Sequence, residues 1–197
     1  MRRFLLARHG ECIDNLERRL PARNSPLSDA GRNQANRIAA ALADLPDRPT
    51  EIISSALPRA IETAIIIGSK LALASVADER LDEIRFGRAE GLLPEEFSRR
   101  FPNHSRAIED EEDLSFTWPF GESRVAFVER LTSSIGDLIP KTCYPLLITH
   151  WAATAMLRAQ LVQGTTRQWT KLGLDNGEVF AFWQNAGGWE CRRIWGC

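Results

Sequence analysis

The stretch FLLARHG, residues 4–10, joins four apolar residues directly to an arginine, a histidine and a glycine. An apolar run of this length, with a phenylalanine and two leucines, is typical of a short buried strand. The charged pair that follows it stands where the strand leaves the sheet. Ligands of open α/β sheets bind at this position, outside the carboxyl ends of the strands. The stretch therefore predicts a buried strand with a ligand site at its end.

Strand and helix patterns alternate along the rest of the chain. Strands are predicted at residues 51–55, 73–78 and 145–149, and a closing hairpin at 178–183 and 189–195. Helices are predicted from Ser28, from Pro58, from Glu122 to Leu138 and from Ala152, and a short one at 94–101. This order predicts a three-layer α/β/α sandwich with a mainly parallel sheet. We expect a single domain over residues 1–197, with a small cap inserted at about 86–120.

The balance of charge and the cysteines exclude several classes of protein. Lys and Arg number 25 against 26 Asp and Glu, which argues against nucleic acid as the main partner. The apolar run after Met1 is too short for a signal peptide, and no segment is long enough to span a membrane. The cysteines at positions 12, 143, 191 and 197 form neither a CxxC pair nor a zinc spacing. We therefore expect free thiols, a cytoplasmic protein and no metal or cofactor.

Four cationic or cation-capable groups follow three of the predicted strands. Arg8 and His9 follow the first strand, Arg59 follows the second, and His150 follows PLLIT. The ends of parallel strands share one edge of a sheet, so these groups are expected to converge there. Two forked guanidinium groups favour phosphate over a single carboxylate. A neutral imidazole among them can attack phosphorus, and the neighbouring positive charge keeps it neutral.

Such a site also needs a proton donor for the leaving oxygen, and a carboxyl group is the natural choice. Glu83 is one candidate, with Glu79, Asp82 and Glu90 as competitors. Each residue taken alone has an ordinary structural explanation, such as a surface arginine or a hydrogen-bonded core histidine. Their arrangement at consecutive strand ends favours the functional explanation.

Six motifs occur along the chain, namely RHGE with Asn15, NSPLSDAGRNQA, SSALPRAIETA, RLDEIRFGRAEG, FGES and LLITH. They resemble the motifs of the histidine phosphatase superfamily, which includes the cofactor-dependent phosphoglycerate mutases. The resemblance covers essentially the whole chain. It implies that His9 accepts the phosphoryl group and that Glu83, rather than Glu90, donates the proton. It also implies four phosphate ligands, namely Arg8, Asn15, Arg59 and His150.

Trp151 is the clearest departure from the family pattern, which has glycine after the second histidine. Two interpretations stay open at this point. The ring either borders the leaving-group pocket and selects substrates, or turns away and packs under the following helix. The cap aromatics Phe101, Phe116 and Trp118 leave the same choice between lining a pocket and packing in the core. The acidic run at 109–113 is expected to be a solvated loop.

The sequence predicts a metal-independent phosphomonoesterase that acts on a small phosphorylated metabolite through a phosphohistidine. The alternatives are a phosphoglycerate-type phosphomutase, a phosphatase of protein phosphohistidine, and a non-catalytic phosphate-binding regulator. The resemblance favours hydrolysis, because mutases of the family carry longer insertions than the segment 86–120. We expect a monomer or homodimer whose partner is a small phosphate ester, with no membrane partner.

Overall fold

The computed structural model describes residues 1–139 and 142–196. Its centre is a six-stranded sheet in the order β3-β2-β4-β1-β5-β6. The strands are β1 (Arg3–Arg8), β2 (Glu51–Ser54), β3 (Ser75–Ala77), β4 (Pro145–Thr149), β5 (Val179–Asn185) and β6 (Gly188–Trp195). β1, β2, β3 and β4 run parallel, whereas β5 pairs antiparallel with both β1 and β6. The mainly parallel sheet and its closing hairpin are therefore confirmed.

Helices cover both faces of the sheet. The structure contains α1 (Ile13–Leu16), α2 (Asp29–Ala43), α3 (Pro58–Leu71), α4 (Pro94–Arg100), α5 (Pro102–Ala107), α6 (Arg124–Leu138) and α7 (Trp151–Arg158). One core joins α2 and α3 to alternate residues of the central strands, such as Leu5 and Leu146. A second core joins α6 and α7 to the intervening residues, such as Leu6 and Leu147. Because side chains alternate across a strand, a continuous apolar run such as FLLA supplies both cores.

Capping and proline explain where the main helices begin. The Ser28 hydroxyl accepts a hydrogen bond from the Gly31 amide, and the Ser123 hydroxyl accepts one from the Ala126 amide. Both serines therefore occupy the N-cap position, which is the preferred place for serine. Pro58 stands in the first turn of α3, as predicted. The helix predicted from Glu122 begins two residues later, because Ser123 is its cap.

Two short helices were not predicted from the sequence. α1 lies within the polar loop after β1, and α5 follows α4 within the segment predicted to form a cap. Both have six residues or fewer and bury no side chain completely. Helices this short carry no amphipathic repeat, so periodicity cannot reveal them. None of the described helices has the length and apolar character needed to cross a bilayer.

Candidate active site

The strand order brings the predicted residues to one edge of the sheet. β4 lies between β1 and β2, so the segments after these three strands are neighbours. His9, Arg59, Glu83 and His150 are all buried there, with no more than 7% of any of them exposed. The ring centroids of His9 and His150 are 4.9 Å apart. The convergence predicted from the strand ends is therefore present.

The hydrogen bonds of His9 define which of its nitrogens can react. Nδ1 lies 2.6 Å from the carbonyl oxygen of Gly10, and a carbonyl can only accept. Nδ1 therefore carries the hydrogen, and Nε2 keeps its lone pair. The Arg59 Nε–H donates to this Nε2 over 3.2 Å. Burial and the charges of Arg59 and Arg8 hold the pKa of His9 well below its ordinary value. The ring is therefore a neutral nucleophile with Nε2 beside a cation.

The two arginines are fixed by backbone carbonyls. Arg59 donates from Nη1 to the carbonyl of Ala22 at 2.9 Å, and Arg8 donates from Nη1 to that of Leu174 at 3.0 Å. The Arg8 Nε is buried without a hydrogen-bond partner among the described residues. Burial lowers the pKa of both guanidinium groups. Positive charge held away from water in this way favours a bound anion.

His150 is anchored by a buried serine and aspartate. The Ser55 hydroxyl donates to Asp82 Oδ1 at 2.7 Å, so its oxygen accepts from His150 Nε2, also at 2.7 Å. This arrangement places the hydrogen on Nε2 and leaves Nδ1 free. Nδ1 is buried and has no partner within the described chain. Burial and the nearby Arg59 charge lower the pKa of His150 well below its ordinary value.

Glu83 has the environment of a general acid. Its carboxylate oxygens accept hydrogen bonds from the amides of Ile84 and Ala152, at 3.1 and 3.2 Å. Burial nevertheless raises its pKa above the ordinary value, because desolvation outweighs these bonds and the charges of Arg59 and Arg8. Of its competitors, Asp82 is committed to Ser55 and Arg23, and Glu79 is exposed. Glu90 accepts from the Arg23 amide and does not line the cavity described below.

Asn15 is oriented by a residue that the sequence analysis did not place in the site. The Asn15 Oδ1 accepts hydrogen bonds from the Cys12 amide at 3.4 Å and from Asn176 Nδ2 at 3.2 Å. Both bonds occupy the oxygen, so the NH₂ group of Asn15 remains available to an anion. Asn176 also donates to the His9 carbonyl at 3.1 Å. It therefore ties the loop after β1 to the loop before β5.

A cavity of about 380 Å³ opens next to His9 and Glu83. We call it the leaving-group cavity. It is lined by the residues Arg8, His9, Asn15, Leu20, Pro21, Glu83, Ile84, Phe86, Ile108, Glu109, Glu111, Trp118, Arg124, Trp151, Ala152, Trp169 and Thr170. A larger groove of about 470 Å³ lies elsewhere, among residues such as Arg3 and Tyr144, and includes none of the predicted site residues.

Trp151 borders the cavity, which was one of the two interpretations that the sequence left open. It is half-buried, lines the leaving-group cavity and begins α7. Its ring lies against Trp169, with centroids 5.8 Å apart, and covers the backbone of Gly173 so closely that a Cβ there would lie 2.1 Å from Nε1. Of the aromatic residues in the predicted cap segment, Trp118 lines the cavity, whereas Phe101 and Phe116 pack in the core.

Several residues of the site were missed from the sequence. Ser55 lies inside a matched motif but shows no chemical signal of its own. Trp169 and Thr170 come from a segment without periodicity, and only the folded chain brings them to the cavity. The acidic run is a largely exposed loop, as predicted, but the sequence did not show that Glu109 and Glu111 also line the cavity. No local signal distinguishes these two from their neighbours, because tertiary contacts decide which of them face the site.

Comparison with known proteins confirms the resemblance stated above. The family model for the histidine phosphatase superfamily (branch 1) matches residues 4–195. The glucosyl-3-phosphoglycerate phosphatase of Mycolicibacterium vanbaalenii is 30% identical over 183 residues, which cover 88% of this chain and 80% of the relative. The "Probable phosphoglycerate mutase GpmB" of Yersinia pestis is 32% identical over 170 residues, which cover 82% of this chain and 75% of the relative.

Solved structures match the whole fold. The mycobacterial glucosyl-3-phosphoglycerate phosphatase, in complex with VO3, superimposes with a TM-score of 0.82 at 26% identity. That match covers 100% of this chain and 99% of the other. YhfR of Bacillus stearothermophilus gives a TM-score of 0.86 at 25% identity, covering 98% of this chain and 96% of the other. The predicted α/β class is therefore confirmed.

Proposed function

Because the chain belongs to the histidine phosphatase superfamily (branch 1) and is a phosphoric monoester hydrolase, we propose that its His9 carries the phosphoryl group from a small phosphorylated metabolite to water. One observation carries this proposal. The Nδ1 hydrogen of His9 is held by the Gly10 carbonyl, so Nε2 presents its lone pair beside Arg59. A lone pair held among cations is the arrangement that in-line attack on phosphorus requires.

In the first step, Nε2 of His9 attacks phosphorus while the bond from phosphorus to the leaving oxygen breaks. Arg8 and Arg59 hold the equatorial oxygens, and the NH₂ group of Asn15 adds a further donor. His150 joins them when a proton occupies its free Nδ1, since a lone pair cannot donate to a phosphoryl oxygen. Glu83 gives its proton to the leaving alkoxide, so the alcohol departs neutral. The raised pKa of Glu83 supports this role, because it keeps the carboxyl protonated closer to neutral pH.

In the second step, Glu83 takes a proton from water, and the water oxygen attacks phosphorus. The bond from phosphorus to Nε2 breaks, and the electron pair returns to the imidazole. Phosphate then leaves, and Glu83 is again protonated. The same carboxyl group serves both steps because it faces the cavity from which the alcohol departs and which water then enters. Arg8 and Arg59, which we call the clamp, supply the positive charge in both steps.

The proposal is tested by rapid mixing with a ³²P-labelled alkyl phosphate ester, followed by denaturation. We expect a stoichiometric phosphoenzyme that is lost in acid and survives alkali, since a phosphoramidate has these properties. The His9→Ala variant should form none. His104→Ala is the matched control, because His104 lies on α5 in the cap and does not line the cavity. A label that survives acid but not alkali would overturn the assignment to histidine.

Release of inorganic phosphate from p-nitrophenyl phosphate in the presence of EDTA separates the alternative functions. We expect turnover that EDTA does not change. Isomerisation of phosphoglycerates without release of phosphate would indicate a phosphomutase, and phosphate binding without turnover would indicate a regulator. Faster release from protein phosphohistidine than from small esters would indicate the protein phosphatase.

We also propose a cytoplasmic enzyme that acts as a monomer or homodimer. The cysteines at positions 12, 143 and 191 are free thiols, which supports a reducing compartment, and Cys197 lies outside the described residues. Sedimentation of the purified chain would measure its oligomeric state.

A further inference from the structure

The walls of the leaving-group cavity are aromatic. Trp118, Trp151 and Trp169 all line it, together with Phe86. Trp151 and Trp169 lie side by side, and the Phe86 and Trp118 rings meet edge to face with centroids 4.7 Å apart. Flat apolar walls of this kind bury and stack against a planar ring. Such walls offer little to a small hydrophilic alcohol.

The rim of the cavity is acidic, and its one additional cation is already engaged. Beyond the clamp, Arg124 is the cation that lines the cavity within the described residues. Its guanidinium donates to the carbonyls of Ile108, Asp110 and Asp113, at 2.9 Å for Ile108 and 3.0 Å for Asp113. It also lies over the Phe116 ring, 4.8 Å from the centroid. Arg124 therefore holds the acidic loop in place and offers no free fork to an anion.

Glu109 and Glu111 complete that rim. The Glu111 carbonyl accepts a hydrogen bond from Trp169 Nε1 at 3.2 Å, so the acidic loop and the aromatic wall are joined. A substrate with a carboxylate or a second phosphate in its leaving group would meet these two carboxylates. Repulsion between like charges would weaken the binding of such substrates, and selectivity would come from this repulsion.

We propose that the enzyme prefers phosphate monoesters of uncharged, ring-bearing alcohols and discriminates against leaving groups with a second anionic group. This inference rests on the proposed function and deepens it. The clamp binds the phosphoryl group, the tryptophans bind the ring, and Glu109 and Glu111 exclude carboxylates. The leaving group is thus selected by shape and charge at a place separate from the reacting atoms.

Four alkyl esters test the proposal, because their similar alkoxide leaving groups remove differences in intrinsic reactivity. They are 2-phenylethyl phosphate, ethyl phosphate, choline phosphate and 3-phosphoglycerate. We expect kcat/KM for the phenylethyl ester to exceed that for ethyl phosphate by about 10- to 100-fold, the gain typical of burying one aromatic ring. We expect 3-phosphoglycerate to be poorer than ethyl phosphate. A preference for 3-phosphoglycerate or for choline phosphate over the phenylethyl ester would overturn the proposal.

Variants separate the contribution of the acidic rim to substrate preference from that of the aromatic walls. The double change Glu109→Gln with Glu111→Gln should raise the ratio of kcat/KM for 3-phosphoglycerate to kcat/KM for the phenylethyl ester by about 3- to 10-fold. Glu112→Gln is the matched control, because Glu112 belongs to the same acidic run but does not line the cavity. Equal effects of the double change and the control would contradict the role of the rim.

Trp151→Leu should reduce the preference for the phenylethyl ester over ethyl phosphate by about 5-fold or more. Trp183→Leu is its control, since Trp183 is a half-buried tryptophan of β5 outside the leaving-group cavity. If Trp151→Leu does not fold, Trp151→Phe provides a milder change with the same expected direction. An unchanged preference in the folded variant would overturn the role of the ring.

Turnover of all four esters without the expected order would refute this inference alone, whereas no turnover of any ester would refute the proposed function as well.

Discussion

Burial acts in opposite directions on the charges of His9 and Glu83, and both shifts suit the reaction. The pKa of His9 lies well below 6.5, so the imidazole is neutral and nucleophilic at mildly acidic pH. The pKa of Glu83 lies above 4.5, so part of its population keeps the proton that the leaving group needs. The same desolvated environment thus lowers the pKa of the nucleophile His9 and raises the pKa of the acid Glu83.

The first prediction concerns Glu83 as the acid. With alkyl esters, kcat/KM should fall as pH rises through the raised pKa of Glu83, because the proton is lost. It should fall on the acidic side only well below pH 6.5, where His9 becomes protonated. Glu83→Gln should lower kcat/KM for an alkyl ester by about 10²- to 10⁴-fold and remove the alkaline fall, whereas an aryl ester should lose less. The measurement is a pH profile for both esters. Glu90→Gln is the control, and a larger loss in that variant would contradict the assignment.

The second prediction concerns Ser55, which positions His150 rather than touching phosphate. Ser55→Ala removes the acceptor for the Nε2 hydrogen of His150 and leaves Asp82 without its hydroxyl partner. We expect kcat/KM to fall by about 3- to 10-fold, the usual effect of one neutral hydrogen bond. Because the loss comes through His150, which is titratable, the pH dependence of kcat/KM should also change.

The control for Ser55 is Ser134→Ala, a buried serine of α6 whose hydroxyl donates only within its own helix. Both variants should lose some stability, which thermal unfolding will measure. A change in activity or pH profile that is equal in the two variants would show that Ser55 has a purely structural role.

At the scale of elements, the start of α2 supports the loop that carries His9. Gly10 and Gly31 pack backbone to backbone, so a Cβ on Gly31 would lie 2.0 Å from the Glu11 carbonyl oxygen and one on Gly10 would lie 2.3 Å from that of Gly31. Thr63 of α3 supports the same loop, since its hydroxyl accepts from the Gly10 amide at 3.2 Å. Two helices therefore fix the position of the nucleophile.

The third prediction follows from this close packing. Gly31→Ala should destabilise the fold by about 2 kcal/mol and lower kcat, because the new methyl group pushes α2 away from the loop after β1. The matched control is Gly136→Ala, at an exposed position of α6 where a Cβ meets nothing within 4 Å. That change should stabilise the protein by about 0.5–1 kcal/mol without affecting kcat. Thermal unfolding and steady-state kinetics measure both effects. A Gly31→Ala variant as stable and active as the control would show that the contact is not needed.

The elements that carry the catalytic groups could be predicted because their signals are local. FLLA and PLLIT are short apolar runs with a charged or titratable residue immediately after them, and both became central strands. The walls of the leaving-group cavity could not be predicted in this way. Trp169 and Glu111 are 58 residues apart in sequence and meet only through a contact formed in the folded chain. A site at strand ends is therefore visible in one sequence, whereas its specificity pocket depends on loops.

At the scale of the whole molecule, the buried cations of the site oppose folding. Arg8, Arg59 and the two histidines gather positive or potentially positive groups in a buried region, and burial lowers the pKa of each. A lowered pKa means that the folded protein holds each charged form at a free-energy cost relative to water. This buried positive charge therefore lowers the free energy of unfolding, and binding of an anion offsets that cost.

The last prediction is that inorganic phosphate stabilises the whole fold through this clamp. At a phosphate concentration about 100 times its Kd, the gain should be about 2.7 kcal/mol, or an increase of about 5–10 °C in Tm. Arg59→Met removes a clamp charge while keeping a side chain of similar length in the same buried position, so phosphate should then raise Tm much less. Arg32→Met is the control, because Arg32 is an arginine of α2 whose ion pairs with Asp29 and Glu62 lie at the surface. Sulfate at matched ionic strength separates binding of a tetrahedral anion from screening by salt, and sodium chloride should have little effect. Equal stabilisation of the native, Arg59→Met and Arg32→Met proteins would show that phosphate acts elsewhere than in the clamp.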